Sequence, residues 1–416
     1  MKNLYKYLIF LFPLLFSCSR GEMEFVNFEE IKGADDSAFH VYSTKVTDLS
    51  SGLPDNCNFT FDDLEQGTKT TGTTIQNILS DLFEYNNKGK VIEIAGTYRS
   101  IDMITGEVLT LSGKVLLPKD RKPKRYIVVS HYTIGSNSEC PSNSFPLEGV
   151  LCNMGYAMIF PDYQGYGVDS KHLHKYLVLH QTALDVCMMY ASVEQYLANT
   201  EYAPENDDIY LMGFSQGGAV TMAVEWMFES AHKTKIGQVF AGGGPYDVRA
   251  TYNNFITTNK VNIPVAVPLV IQGMIEGNGL DIDIKEILKP WIYEKLDEWI
   301  NSKKYTTDQL KSMMGTTTTS DILTDVGMDP TSEIVAELYK AMSENSIIAF
   351  DWCPKASVYM FHSMDDDVVP FINASMARNK WSEANIHYNF GNYGSHKMAA
   401  LRFIYSVKKW LKEEEE

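Results

Sequence analysis

Short apolar runs alternate with amphipathic stretches through most of this chain. Tyr126-Ile127-Val128-Val129-Ser130, Ala157-Met158-Ile159-Phe160, Ile209-Tyr210-Leu211-Met212 and Val358-Tyr359-Met360-Phe361 are apolar throughout, the pattern of strands covered on both faces. A further strand is expected near Val239, and a weaker last one at residues 386–390. Between them, Leu177, His180, Leu184, Cys187, Met188 and Ala191 recur at three- and four-residue steps. Ala219, Ala223, Trp226 and Met227 do the same, as do Ala400, Phe403, Ile404, Val407, Trp410 and Leu411. Each stripe predicts a helix with one buried face. Strand–helix alternation predicts an α/β fold, a mostly parallel sheet flanked by helices. Ahead of it, residues 97–103 and 107–117 flank a Thr105-Gly106 turn and predict a hairpin.

Residues 253–345 interrupt this rhythm. The interval is too long for one crossover helix, and its helical patterns at 284–300 and 332–342 predict an inserted helical cap or lid. The main domain is then residues 91–252 and 346–416. Residues 19–90 are polar, with a Gly/Thr stretch at 66–74, and make a leader expected to lie partly against that domain. The closing run Glu413 to Glu416 is a solvated tail.

Hydrophobic residues make up 44% of 416, enough for a large core, which excludes disorder for the bulk of the chain. Asp+Glu number 53 against 36 Lys+Arg, a net charge of −17 that repels phosphate and excludes nucleic acid as a partner. Residues 7–16 are apolar and follow Lys2 and Lys6. A bilayer takes roughly 20 apolar residues, so this run is too short to span one and is expected to be a secretory signal. It ends Leu15-Phe16-Ser17-Cys18 and resembles a bacterial lipoprotein signal, residues 1–18, in which Cys18 carries the lipid; plain secretion with cleavage nearby is the alternative. Such an anchor would hold an otherwise soluble domain at a membrane. Export permits disulfides among Cys57, Cys140, Cys152, Cys187 and Cys353, with one cysteine left over; Cys140 and Cys152 are nearest in sequence.

The strongest chemical signal is Gly213-Phe214-Ser215-Gln216-Gly217-Gly218. It fits G-x-S-x-G between the strand at Ile209 and the helix at Ala219, the context in which a tight turn lifts a nucleophilic serine above the sheet edge. The N–H of Gln216, at the helix start, can face a developing oxyanion. Serine needs a base to take its proton and an acid to hold that base in one tautomer, here in the order Ser, acid, His. The strand at Val358 runs into His362-Ser363-Met364-Asp365-Asp366-Asp367-Val368-Val369-Pro370. Asp366 is the favoured acid by its offset from Val369-Pro370; Asp365 and Asp367 are rivals. His396, in Gly394-Ser395-His396-Lys397, follows the last strand and is the candidate base. His180 sits on an apolar helix face and is expected to be packed core. His362 precedes the acid on its own strand, and His387 lies within the last strand. His40 and His232 have no chemical context. His172 and His174 form an H-x-H beside Asp169, a spacing seen in metal sites, but neither metal nor cofactor is expected. The second oxyanion donor should come from His131-Tyr132-Thr133-Ile134-Gly135, with the N–H of Tyr132 or Thr133 as candidates.

Together with Pro161-Asp162-Tyr163-Gln164-Gly165-Tyr166-Gly167, Gly244-Pro245-Tyr246 and Cys140-Pro141-Ser142, the serine motif resembles the secreted lipase/esterase, lipase-A-like branch of the α/β-hydrolase superfamily over residues 95–410. The resemblance implies a cap inserted between sheet strands and hydrolysis of carboxylic esters, with Ser215 as nucleophile, Asp366 as acid, His396 as base and Asp162 structural. Tyr132, standing where a glycine is usual, and the triple-acid loop depart from the pattern. An ester hydrolase working through an acyl-enzyme on a small-molecule or lipid ester is therefore expected. The alternatives are a prolyl-peptidase-type serine peptidase and a non-catalytic surface binding protein on a hydrolase scaffold. Ile271, Met274, Ile275 and Leu280 are candidate pocket residues, though each is better explained as packing within the cap.

Overall fold

The computed structural model describes residues 38–50, 52–59, 75–84, 89–231 and 234–413. Nine strands form one sheet in the order β1-β2-β3-β5-β4-β6-β7-β8-β9. They are β1 His40–Asp48, β2 Lys90–Ile101, β3 Val108–Pro118, β4 Tyr126–Ser130, β5 Ala157–Pro161, β6 Ile209–Phe214, β7 Ile236–Gly242, β8 Ser357–Ser363 and β9 Ile386–Gly391. Pairings from β1 through β5 by way of β3 are antiparallel; those from β5 through β4 to β9 are parallel. This is the mostly parallel α/β sheet with flanking helices that the alternating pattern predicts.

The five residues of β4, the five of β5 and the six of β6 are all buried, which explains their unbroken apolar composition. One face is covered by α2 Leu179–Leu197 and α3 Gln216–Ala231. On the other face lie α1 Ile75–Glu84 and, at the end of the chain, α9 His396–Glu413. The hairpin forms with Asp102 at its turn, where Oδ1 accepts from the N–H groups of Ile104 and Thr105. β2 begins at Lys90, earlier than the pattern predicts.

Within the polar leader, β1 adds an edge strand that sequence pattern does not reveal. Eight of its nine positions are exposed, so no buried face imposes alternation. Residues 284–300 do not form the continuous helix their periodicity predicts. They break into single turns at Ile284–Ile287 and Pro290–Tyr293 and a π-helical turn at Leu296–Asn301. Pro290 forces Lys289 into extended backbone and starts a new turn. The longer helices here are α4 Val248–Thr258, which runs into the interval from before it, and, within it, α5 Ala266–Asn278, α6 Thr307–Met314 and α7 Glu333–Glu344. The last of these is capped by the Ser332 hydroxyl. They share an apolar core of their own, which contains Ile271 and Met274 fully buried. Helix α8, Ile372–Lys380, connects β8 to β9. No disulfide joins the described cysteines; Cys140 and Cys152 are both buried and free.

Candidate active site

The serine turn is forced by close backbone packing. Ser215 has φ +60, a left-handed conformation that a side-chain-bearing residue holds only when its surroundings demand it. Its N–H donates to the Gly242 carbonyl at 2.9 Å, and its own carbonyl accepts from Gly218 at 2.8 Å. A Cβ on Gly217 would stand 2.0 Å from the Ser130 carbonyl oxygen, and one on Gly218 2.3 Å from that of Gly242. Glycine is thus the only residue that lets α3 start so near β4 and β7.

His396 Nε2 lies 2.7 Å from Ser215 Oγ, and its Nδ1 lies 2.7 Å from Asp366 Oδ2. The other Asp366 oxygen accepts from the N–H groups of Val368 and Val369 at 3.0 and 2.8 Å. Burial pushes this carboxyl up, but the His396 ring, its hydrogen bond and His362 more than offset that, so it stays below the ordinary carboxylate range. The rivals do other things. Asp367 Oδ1 accepts from the His396 N–H at 2.9 Å and so caps α9 from a distant loop. Asp365 is exposed, and its carboxylate bonds no described residue. His362, fully buried, donates from Nε2 to the Val369 carbonyl and sits 3.8 Å from Asp366.

The expected oxyanion loop follows β4. Thr133 lines the pocket above Ser215, whereas Tyr132 turns away and donates its hydroxyl to the Asn58 carbonyl at 3.0 Å. Among the described residues, the N–H groups of Tyr132, Thr133 and Gln216 all lack an acceptor; of the first two, Thr133 is the one that lines the pocket. The Gln216 side chain donates from Nε2 to His174 Nε2 at 2.9 Å, and the Tyr176 hydroxyl lies 2.6 Å from Thr133 Oγ1. Asp162 is fully buried, taking Ser112 Oγ and the Ser142 N–H at 2.6 and 2.9 Å, a structural placement.

The H-x-H pair does not converge. His172 Nδ1 bonds Asp169 at 2.6 Å, while His174 points inward to Gln164 and Gln216. No metal-ligating cluster occurs among the described residues. His180 packs between Trp226 and Phe350, and His387 stacks on Tyr359. His40 is exposed on β1, and His232 lies outside the described residues.

Above Ser215 opens a pocket. Its wall is mostly apolar and carries no charged side chain. Phe255, Ile263, Ala266 and Val270 come from the helical interval, Tyr252 from the start of α4 just before it, and Val368 and Val369 from the acid loop. The sequence-based candidates Ile271, Met274, Ile275 and Leu280 do not line it; all four belong to the interval's own core. The signal that was available is the stripe Val248, Tyr252, Phe255 on α4, one helix face immediately after the carboxyl end of β7.

A model of the secretory lipase family matches residues 145–404, more than half of the chain. The chain belongs to the secretory lipase family. As a secretory lipase it is a carboxylic ester hydrolase of α/β-hydrolase fold, and membership of that family agrees with export. Its backbone is similar to the ligand-bound form of the rice cell wall degrading esterase LipA from Xanthomonas oryzae. That match has TM-score 0.70 and 15% identity and covers 92% of this chain and 100% of that one. It is also similar to a putative hydrolase from Legionella pneumophila (TM-score 0.67, 19% identity, 78% and 89% covered). Candida antarctica lipase A is a third neighbour (TM-score 0.59, 14% identity, 88% and 79% covered). No curated protein matches by sequence. Among the described residues, no helix is long and apolar enough to cross a membrane. The signal run and Cys18 lie outside the described residues.

Proposed function

We propose that this secretory lipase cleaves esters of apolar acyl groups through a Ser215-acyl intermediate. His396 Nε2 takes the Ser215 proton as Oγ attacks the ester carbonyl. The N–H groups of Thr133 and Gln216 receive the oxyanion. His396 then returns the proton to the departing alkoxide, and the alcohol leaves. A water, deprotonated by the same ring, attacks the acyl carbon and frees the acid, restoring Ser215. Asp366 holds the imidazole in the Nδ1–H tautomer and balances its charge when it carries two protons. The single observation that supports this most is the unbroken line of 2.7 Å contacts from Ser215 through His396 to Asp366. The uncharged apolar pocket favours a hydrocarbon acyl chain over a peptide substrate. The helical interval 253–345, which supplies much of that wall, acts as its cap.

A fluorophosphonate probe and a panel of p-nitrophenyl esters against aminoacyl-p-nitroanilides test this reading. Wild type should label and hydrolyse esters. Ser215→Ala should lose labelling and drop kcat by a factor on the order of 10³ or more, since triad members act as a unit. An unlabelled wild type would point to a binding protein instead, and faster anilide cleavage to a peptidase. We also propose lipidation at Cys18, which the sequence Leu15-Phe16-Ser17-Cys18 supports. Cys18→Ser should then move the protein from the membrane fraction to the soluble one; unchanged fractionation would remove the anchor.

A further inference from the structure

We propose that the strap His174-Lys175-Tyr176 sets the position of both oxyanion donors, which makes His174 and Tyr176 positioning residues for the reaction. The inference rests on Thr133 and Gln216 being those donors.

The two donors come from different parts of the chain, one from the loop after β4 and one from the first turn of α3. Nothing in either segment alone fixes the distance between their N–H groups. The strap reaches both. His174 is buried, and burial pushes its ring down to about 3, so it is neutral at any working pH. Its Nδ1–H donates to the Gln164 carbonyl at 2.9 Å, which leaves Nε2 as an acceptor. That acceptor takes the Gln216 side-chain N–H at 2.9 Å and pins the residue whose backbone N–H faces the site. Two residues on, the Tyr176 hydroxyl meets Thr133 Oγ1 at 2.6 Å.

The strap is itself held on both flanks. Lys175 Nζ reaches the buried Asp102 at 2.6 Å, and the same carboxylate oxygen takes Gln164 Nε2 at 2.8 Å. A Cβ on Gly165 would stand 2.5 Å from the His174 nitrogen, so the backbones touch. Leu177, the next residue, sits at φ +59, a left-handed conformation that tight surroundings must impose. From above, Gly273 on α5 lies so close that a Cβ there would meet the Tyr176 carbonyl oxygen at 2.4 Å. A histidine and a tyrosine placed for packing alone could bond any polar neighbour. These two bond Thr133 and Gln216, the residues that carry the two proposed donors, and they do it from one three-residue segment.

Kinetics of Tyr176→Phe and His174→Phe on p-nitrophenyl butyrate, with inhibition by n-butylboronic acid and melting curves, test the proposal. The boronic acid forms a tetrahedral adduct on Ser215 whose oxygen occupies the oxyanion position. Outright loss of a donor costs about 10²–10³ in kcat, so loosening one should cost about 10-fold. Each variant should lose that factor in kcat with KM within about twofold. The boronic acid should bind more weakly by the same factor. Unchanged kcat and boronic acid affinity in a folded Tyr176→Phe would overturn the proposal, as would a rise in KM alone, which would make the strap a pocket wall. Should His174→Phe fail to fold, Tyr176→Phe decides by itself. Ser215→Ala separates the two levels: turnover surviving there sinks the catalytic reading, whereas its loss beside an unimpaired Tyr176→Phe sinks only the strap.

Discussion

The serine turn and the acid loop each bring one side chain to the same rim of the sheet, by opposite means. In the turn, close backbone approach decides everything. Gly217 and Gly218 are required because carbonyls of β4 and β7 occupy the space a Cβ would need, and Ser215 is left with a single backbone conformation. In the acid loop, three consecutive aspartates offer the same chemical group, and partners far along the chain give each a different task. Asp366 meets the His396 ring, Asp367 meets the His396 backbone, and Asp365 meets solvent. A steric constraint leaves its mark in the residue types. A division of labour among identical side chains leaves none.

The largest expected effect comes from dividing the acid loop. Asp366→Asn should lower kcat by a factor on the order of 10³–10⁴, because the amide favours the wrong tautomer of the base. Asp367→Ala should cost about 1 kcal/mol of stability, as loss of a helix cap does, with a smaller effect on kcat. Asp365→Asn should match wild type in both. Steady-state kinetics and thermal melts on the three variants give the ranking, and equal losses at all three would erase the contrast.

Next in size is the turn. Gly217→Ala places a methyl 2.0 Å from the Ser130 carbonyl and must displace β4 or α3. Overpacking of that kind costs about 1–3 kcal/mol. The melting temperature should drop and fluorophosphonate labelling should fall with it. Wild-type labelling would mean that the turn has room the structure does not give it.

The smallest effect is read by pH and sets the acid loop against a buried carboxylate on α2. Asp366 titrates below its ordinary value of 3.8, so the stability it lends is present above that value and is lost as pH falls through its lowered one. Asp185, buried and accepting from the Gln164 N–H, behaves oppositely. Burial raises it to about 7, so its contribution is complete below 3.8 and disappears as pH climbs through 7. Asp366→Asn should flatten the acid limb of a melting-temperature profile and Asp185→Asn the neutral limb. Gly217→Ala, which touches no charge, should lower the whole curve without changing its slopes.

The order of residue types already dictates the layered α/β architecture, because strands covered on both faces must be apolar throughout and helices covered on one face must be striped. It also determined the serine turn, since glycines packed at such distances admit no substitute, and it placed His396 at the start of the last helix. Tertiary structure alone decided which aspartate faces the ring, and that His172 and His174 point apart, one to Asp169 and the other to Gln164 and Gln216. It also decided that β1 joins the sheet and that residues 284–300 break at Pro290. The physical reason is range. Periodicity and steric exclusion act between neighbours in sequence and are written in residue types. Partner choice among chemically equal groups depends on contacts between segments far apart in the chain, and those exist only once the sheet has brought the segments together.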